Sequence, residues 1–195
     1  MANNDVLLTV PVGVSGRHIH LSPEHVEQLF GEGHQLTPIK ELSQPGQFAA
    51  DECVTLVGPK GSIERVRVLG PARDATQVEI SITDGFRLGI HAPVRLSGDI
   101  KGTPGIQIVG PKGSITIDEG VIVAARHIHM TPADAESTGL KDGDVVKVRV
   151  GGSRALIFDQ VVIRVRDDFA LDFHIDTDEA NAAGLRTGDV AEILR

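Results

Sequence analysis

The sequence has no tryptophan, no tyrosine and a single cysteine. Without those rings it lacks the stacking platforms that hold single-stranded nucleic acid. The lone thiol, Cys53, excludes an intrachain disulfide and suits a reducing cytosol. No apolar run reaches the roughly 18 residues that a membrane-crossing helix needs. Positive charge is also scarce: 19 basic residues stand against 27 acidic ones, a net charge of −8. That balance argues against nucleic acid or a membrane as partner, so an anionic substrate has to be held by a local cluster of cations or by metal. Residues 1–5 offer neither the basic region nor the apolar stretch of a signal peptide, and the expected location is cytoplasmic. There is no Gly-x-Ser-x-Gly, no P-loop and no Gly-x-Gly-x-x-Gly followed by an acid.

Histidine is distributed unevenly. Arg17-His18-Ile19-His20 and Arg126-His127-Ile128-His129 hold half of the eight histidines, 127 − 18 = 109 positions apart. Valine-rich runs precede both (Val10 to Val14, Val121 to Ala125), a β-strand composition. In a strand, residues i and i+2 share a face, so each pair of imidazoles converges on one point while the intervening Ile faces a core. A lone histidine is usually structural; two such pairs favour transition-metal ligation.

Residues 6–14 read as a strand. Ser22-Pro23-Glu24 then opens a helix that runs through Leu29-Phe30 and stops at Gly31 to Gly33. Leu42 to Ala50 reads as a loop, with strands at 53–57, 63–69, 77–82 and 92–96, and 99–104 as a surface connection. Gly58-Pro59-Lys60-Gly61-Ser62 and Gly110-Pro111-Lys112-Gly113-Ser114 read as twin hairpin turns with an exposed Lys rather than as anion cradles. In the last third, aligning His129 with His174 (174 − 129 = 45) superposes Ala135 on Ala180, Gly139-Leu140 on Gly184-Leu185, and Gly143-Asp144-Val145 on Gly188-Asp189-Val190. Each copy reads strand, His, helix cap, short helix, Gly-Asp turn, strand. His20, His129 and His174 each stand two residues ahead of a helix N-cap. Such duplicated units favour small β-barrels with short capping helices, and helix N-termini favour anions.

One metal is offered His127, His129 and His174, a set of three nitrogens that leaves a tetrahedral position open. A second is offered His18, His20 and one carboxylate, for which Glu79 is the candidate; a solvated strand residue is its bland alternative. Arg17 and Arg126 add cations or pair with surface acids. His25, His34 and His91 have no partners at ligand spacing. Asp51 and Glu52 beside Cys53 disfavour its thiolate, so a buried apolar role suits it better than that of a nucleophile.

Longer motifs carry a resemblance. Val12 to Ser22, Leu42 to Ala50, Leu69 to Arg73 with Gln77 to Glu79, Ala125 to His129, and Phe173 to Asn181 are similar to the PduL-type phosphate acyltransferases, or phosphate propanoyltransferases. The likeness runs from Leu7 to Leu194. It implies a phosphotransacylase that interconverts acyl-CoA (propanoyl or acetyl) plus inorganic phosphate with acyl phosphate plus coenzyme A, in the setting of propanediol degradation. It implies a mainly β fold of two small β-barrel domains, residues 1–16 plus 125–195 and residues 17–124, with the active site in the cleft between them. It implies two zinc ions, one on His127, His129 and His174, the other on His18, His20 and Glu79. Arg73 matches the phosphate-binding arginine; Ser15, Gly16, Arg17, Lys40, Arg67 and Asn181 match positions that contact coenzyme A. Gly16 departs from an expected Asn and gives up a side-chain contact. Members sent to bacterial microcompartments carry an additional N-terminal helix, which is not evident here. Direct attack of phosphate on the thioester is the expected chemistry. The alternatives are a metal-dependent thioester or phosphoester hydrolase and a metal-stabilised binding barrel. Base rates favour a homodimer.

Overall fold

The computed structural model describes residues 6–195. In chain order the elements are β1 (Val6–Ser15), β2 (His18–His20), α1 (Pro23–Phe30), β3 (Pro38–Glu41), β4 (Phe48–Val57), β5 (Ser62–Gly70), β6 (Gln77–Glu79), α2 (Ile82–Leu88) and β7 (Val94–Arg95). There follow β8 (Ile106–Val109), β9 (Ser114–Ile117), β10 (Val121–Ala124), β11 (His127–Met130), α3 (Pro132–Thr138), β12 (Val145–Val150), β13 (Leu156–Val165), β14 (Asp172–Asp176), α4 (Thr177–Ala183) and β15 (Val190–Leu194). The fold is mainly β with short helices, and no described helix is long and apolar enough to cross a membrane.

The chain divides into two units. The first takes β1, Ser43–Pro45 and Ala125–Arg195. Its strands close into a barrel in the order β1-β14-β11-β13-β12-β15, with β15 pairing back onto β1. Alternate residues fill the interior: Val10, Val12, Ile128, Ile163, Phe173 and Ile193 are almost fully buried. The second unit takes Gly16–Leu42 and Gly46–Ala124. Its strands run β7-β10-β6-β2-β5-β4-β8-β9, with β3 on β4, an open sheet curled as a half-barrel. Its core holds Ile19, Leu21, Leu29, Leu56, Val68 and Leu88. Burial of each such aliphatic side chain contributes about 1.5–3 kcal/mol. Ile19 and Ile128, the residues between paired histidines, lie in these two cores, as strand alternation requires.

The twin turns are hairpin connections, closed by Gly58 N to Gly61 O at 2.9 Å and Gly110 N to Gly113 O at 2.8 Å. They also have a further role. The Lys60 amide donates to Leu88 O and the Lys112 amide to Leu29 O, each at 3.0 Å, covering orphan carbonyls at the ends of α2 and α1. A Cβ on Gly58 or Gly110 would strike those same helix carbonyls.

Three local readings are corrected. The segment from Leu42 to Ala50 is only partly loop: β4 begins at Phe48 and pairs with β3. All four residues of β3 are exposed, so it carries no alternating pattern to be read. The strand expected at 77–82 ends at Glu79, and Ser81 opens α2. Ser81 and Asp84 form a capping box; Ile82, Thr83 and Gly85 obscure it by composition. The strand expected at 92–96 shortens to Val94–Arg95.

Candidate metal centres and anion site

Each paired-histidine strand brings its two rings together. The ring centroids of His18 and His20 are 5.0 Å apart, and those of His127 and His129 are 4.6 Å apart. Strand pairing supplies the third member. In the first unit β11 runs antiparallel to β14 with His127 opposite His174, which places the His174 ring 5.3 and 4.8 Å from those of His127 and His129. In the second, β2 runs antiparallel to β6 with His18 opposite Glu79. The result is two clusters, His127–His129–His174 and His18–His20–Glu79, within each of which one ligand atom per residue lies within 4.8 Å of the others.

A single local device positions four of these side chains. His20, Glu79, His129 and His174 each stand two residues ahead of an N-cap: Ser22, Ser81, Thr131 and Asp176. All four caps keep extended backbone and accept the N3 amide of the helix. The strand therefore continues through the cap before the chain turns, and the cluster side chain is held at the point of departure. Sequence reading finds three of these junctions; the one after Glu79 is missed together with α2.

The ring nitrogens are arranged for ligation. His18 Nδ1 donates to Gly16 O at 2.9 Å and His127 Nδ1 to Ala125 O at 2.7 Å, which leaves Nε2 of each ring facing its cluster. His18 Nε2 lies 3.4 Å from Glu79 Oε2. The Nδ1 atoms of His20 and His129 are buried without a hydrogen-bond partner, an arrangement that is costly unless something else fills the role. Burial, then the neighbouring His18, pushes the His20 pKa down to about 3; burial, then His127 and His174, pushes that of His129 down to about 2. Both are therefore neutral and nucleophilic at ordinary pH. Burial opposes charge on His18, but the Glu79 carboxylate more than offsets this and raises its pKa. Imidazoles in a set of three, or two with a carboxylate, with orphaned buried nitrogens on His20 and His129, fit a divalent transition metal in each cluster.

Residues around the clusters complete them. Asp172 is buried and its Oδ2 accepts from His174 Nε2 at 2.9 Å, a carboxylate–histidine pair of the kind that orients ligands. Ser43 Oγ lies 3.3 Å from the same nitrogen, and the Phe169 ring stands 4.2 Å from that of His129. None of these three emerges from sequence reading, although Asp172 and His174 stand at strand spacing. Arg73, in the loop after β5, is anchored through its amide to Leu21 O at 2.9 Å. Its guanidinium donates to Ser97 Oγ at 3.2 Å and is close enough to His18 and His20 to disfavour their protonation.

The arginines that precede the histidine pairs act on helix caps. Arg17 holds Asp84 through two contacts of 2.8 Å, and Arg126 holds Glu179 at 2.7 Å. Both acids are the N3 members of capping boxes. Among the other expected contact residues, Lys40 on exposed β3 stands opposite Ala49 of β4, and Arg67 on β5 stands opposite Cys53 of β4. Arg67 donates to Ala50 O and Asp51 O at 2.8 and 2.9 Å. Gly16 is exposed, Ser15 ends β1 opposite Asp176, and Asn181 is exposed on α4. His25 and His34 lie outside the clusters: His25 Nδ1 meets Thr76 Oγ1 at 2.6 Å and His34 Nε2 meets Glu52 Oε1 at 2.7 Å. His91 is exposed. Cys53 is half-buried on β4 rather than fully buried, its Sγ 3.7 Å from Asp51 O.

A sequence profile described as phosphate propanoyltransferase matches residues 11–186. The chain belongs to this family. It is 67% identical over 184 residues to a phosphate propanoyltransferase of Thermotoga maritima, covering 94% of this chain and 88% of that one. It is 58% identical to the protein of that name from Lachnoclostridium phytofermentans (95% and 87% covered) and 55% identical to that from Clostridioides difficile (95% and 89%). The family is one of acyltransferases, and the PduL-type resemblance of the sequence motifs is thereby confirmed as family membership.

Proposed function

We propose that this protein is a zinc-dependent phosphotransacylase that interconverts propanoyl- or acetyl-CoA and inorganic phosphate with the acyl phosphate and coenzyme A. Family membership supports the reaction class. The single observation that carries the metal dependence is the presence of two preassembled three-ligand clusters with orphaned buried nitrogens. The metal ligands are His127, His129 and His174 in one unit and His18, His20 and Glu79 in the other. Arg73 binds phosphate; Ser15, Gly16, Arg17, Lys40, Arg67 and Asn181 contact coenzyme A. The two units serve as the two domains of the enzyme, which works in the cytosol as a homodimer. The expectation about an N-terminal address falls partly on residues 1–5, outside the described residues.

Metal ions on these ligands would supply Lewis-acid stabilisation of negative charge on phosphate and on the developing oxyanion. The chain contributes orientation. A phosphate oxygen attacks the thioester carbonyl carbon, the C–S bond breaks, and coenzyme A leaves as a thiolate. Phosphate already carries negative charge at neutral pH, so no side chain needs to act as a strong base. Arg73, anchored by its own amide and by Ser97, presents a fixed planar donor that aligns phosphate and offsets its repulsion from acyl-CoA.

The test is thiol release from acetyl-, propanoyl- and butanoyl-CoA, with and without phosphate, on protein of measured metal content. Phosphate-dependent release with stoichiometric acyl phosphate is expected. Release that proceeds without phosphate would instead indicate a hydrolase, and full activity after complete metal removal would reject zinc dependence.

A further inference from the structure

We propose that Gln77 and Ser97 are positioning residues that tie the phosphate-binding guanidinium of Arg73 to the metal-binding carboxylate of Glu79. The inference rests on the reading of Arg73 and Glu79 given above. Gln77 and Glu79 are i and i+2 on β6 and share a face with His18 and His20, which stand opposite them on β2.

The Gln77 amide is buried and is fully used. Its Oε1 accepts from Gly98 N at 2.7 Å, while its Nε2 donates to Glu79 Oε1 at 2.7 Å and to Ser97 Oγ at 2.8 Å. Those three partners dictate the amide orientation, since the reverse would set its oxygen against a carboxylate. The bond to Glu79 Oε1 occupies one oxygen and leaves Oε2, 3.4 Å from His18 Nε2, as the one turned to the cluster. Ser97 Oγ is the shared node: it accepts from Gln77 Nε2 and from Arg73 Nη1, the latter at 3.2 Å.

The chain Arg73–Ser97–Gln77–Glu79 thus fixes a cation and a carboxylate ligand relative to each other. Either alone is a flexible side chain. Held together through a buried amide, they lose less freedom when phosphate and metal bind, which is where preorganisation acts. A buried glutamine kept only for packing would not need a serine hydroxyl shared with an arginine.

The experiment compares Ser97→Ala, Ser97→Thr and Gln77→Met in the full-length protein. For Ser97→Ala, the KM for phosphate is expected to rise about tenfold, with the KM for propanoyl-CoA and the metal content unchanged; Ser97→Thr restores the wild-type value. For Gln77→Met, zinc retention by the His18–His20–Glu79 cluster in a chelator competition is expected to weaken about 10–100-fold, while that of the His127 cluster holds. Unchanged phosphate KM in Ser97→Ala, or equal rises in both KM values, would overturn the proposal; so would unchanged zinc retention in a folded Gln77→Met. If Gln77→Met fails to fold, Ser97→Ala decides alone. Wild-type protein without phosphate-dependent thiol release would instead sink the functional reading, and the chelator competition still tests the Gln77 limb.

Discussion

Gly13 stands opposite His174 in the parallel pairing of β1 and β14, and a Cβ at Gly13 would come within 2.7 Å of the His174 ring and 2.8 Å of Asp172 Oδ2. The missing side chain is the space in which the His174 ring and its carboxylate partner Asp172 sit. Gly13→Ala is expected to cost about 1–3 kcal/mol of stability by overpacking. It should also turn His174 away from His127 and His129. Metal analysis after dialysis against a chelator checks this: metal is expected to be lost from that cluster and retained by His18, His20 and Glu79.

Asp172 reaches His174 from the same strand and is almost fully buried. Asp172→Asn is expected to weaken metal binding at the His127 cluster about 10–100-fold, the range for residues that orient ligands. A competition titration with a chromogenic chelator measures it. Ser43→Ala, at the longer 3.3 Å contact, should have a smaller effect.

Arg73→Ala is expected to lower kcat/KM for phosphate about a hundredfold, roughly 2.7 kcal/mol of transition-state stabilisation. The KM for acyl-CoA should stay near the wild-type value. Arg73→Lys should recover only part of the loss, because an ammonium lacks the planar fork that matches phosphate. Steady-state kinetics with phosphate varied at saturating propanoyl-CoA gives the answer.

Cys53 lies on β4, outside both clusters, with two acids before it in sequence. Cys53→Ser is expected to keep full activity, and initial-rate patterns to show a ternary complex. Parallel lines in a double-reciprocal plot together with an inactive variant would point to a covalent acyl-enzyme.

Glu52 provides a pH test. Burial opposes its charge, but the Thr37 amide and the His34 ring at 2.7 Å outweigh this and hold its carboxyl below the usual range. A depressed folded-state pKa contributes stability above the unfolded pKa and loses it as pH falls through the folded one. Glu52→Gln should therefore destabilise by about 1–3 kcal/mol at pH 7. The gap from wild type should narrow below roughly pH 4.3, the ordinary glutamate value. Urea denaturation of both proteins at several pH values checks the sign.

The paired histidines were legible from the sequence because strand alternation is local: two positions along a strand means the same face, whatever the rest of the chain does. Helix caps share that property, and Ser22, Thr131 and Asp176 announce helices through side chains three residues from their partners. The 45-residue repeat carried the same information twice. The exposed β3 and the glycine-containing α2 escaped notice because neither shows the periodicity by which burial marks an element.

What holds the clusters together is not local. His174 meets His127 only through the register of β11 on β14, and Glu79 meets His18 only through that of β2 on β6. Motif likeness supplied these partners in advance, but no spacing rule predicts a pairing register across tens of residues. Asp172, Gln77 and Ser97 show the limit most clearly. Their types are ordinary, and the parts proposed for them come from which hydrogen-bonding groups the fold leaves within 3.2 Å of them. Sequence by itself determined the candidate ligand types and their presentation on strand ends; tertiary structure decided which of them converge, because convergence depends on strand pairing between distant segments.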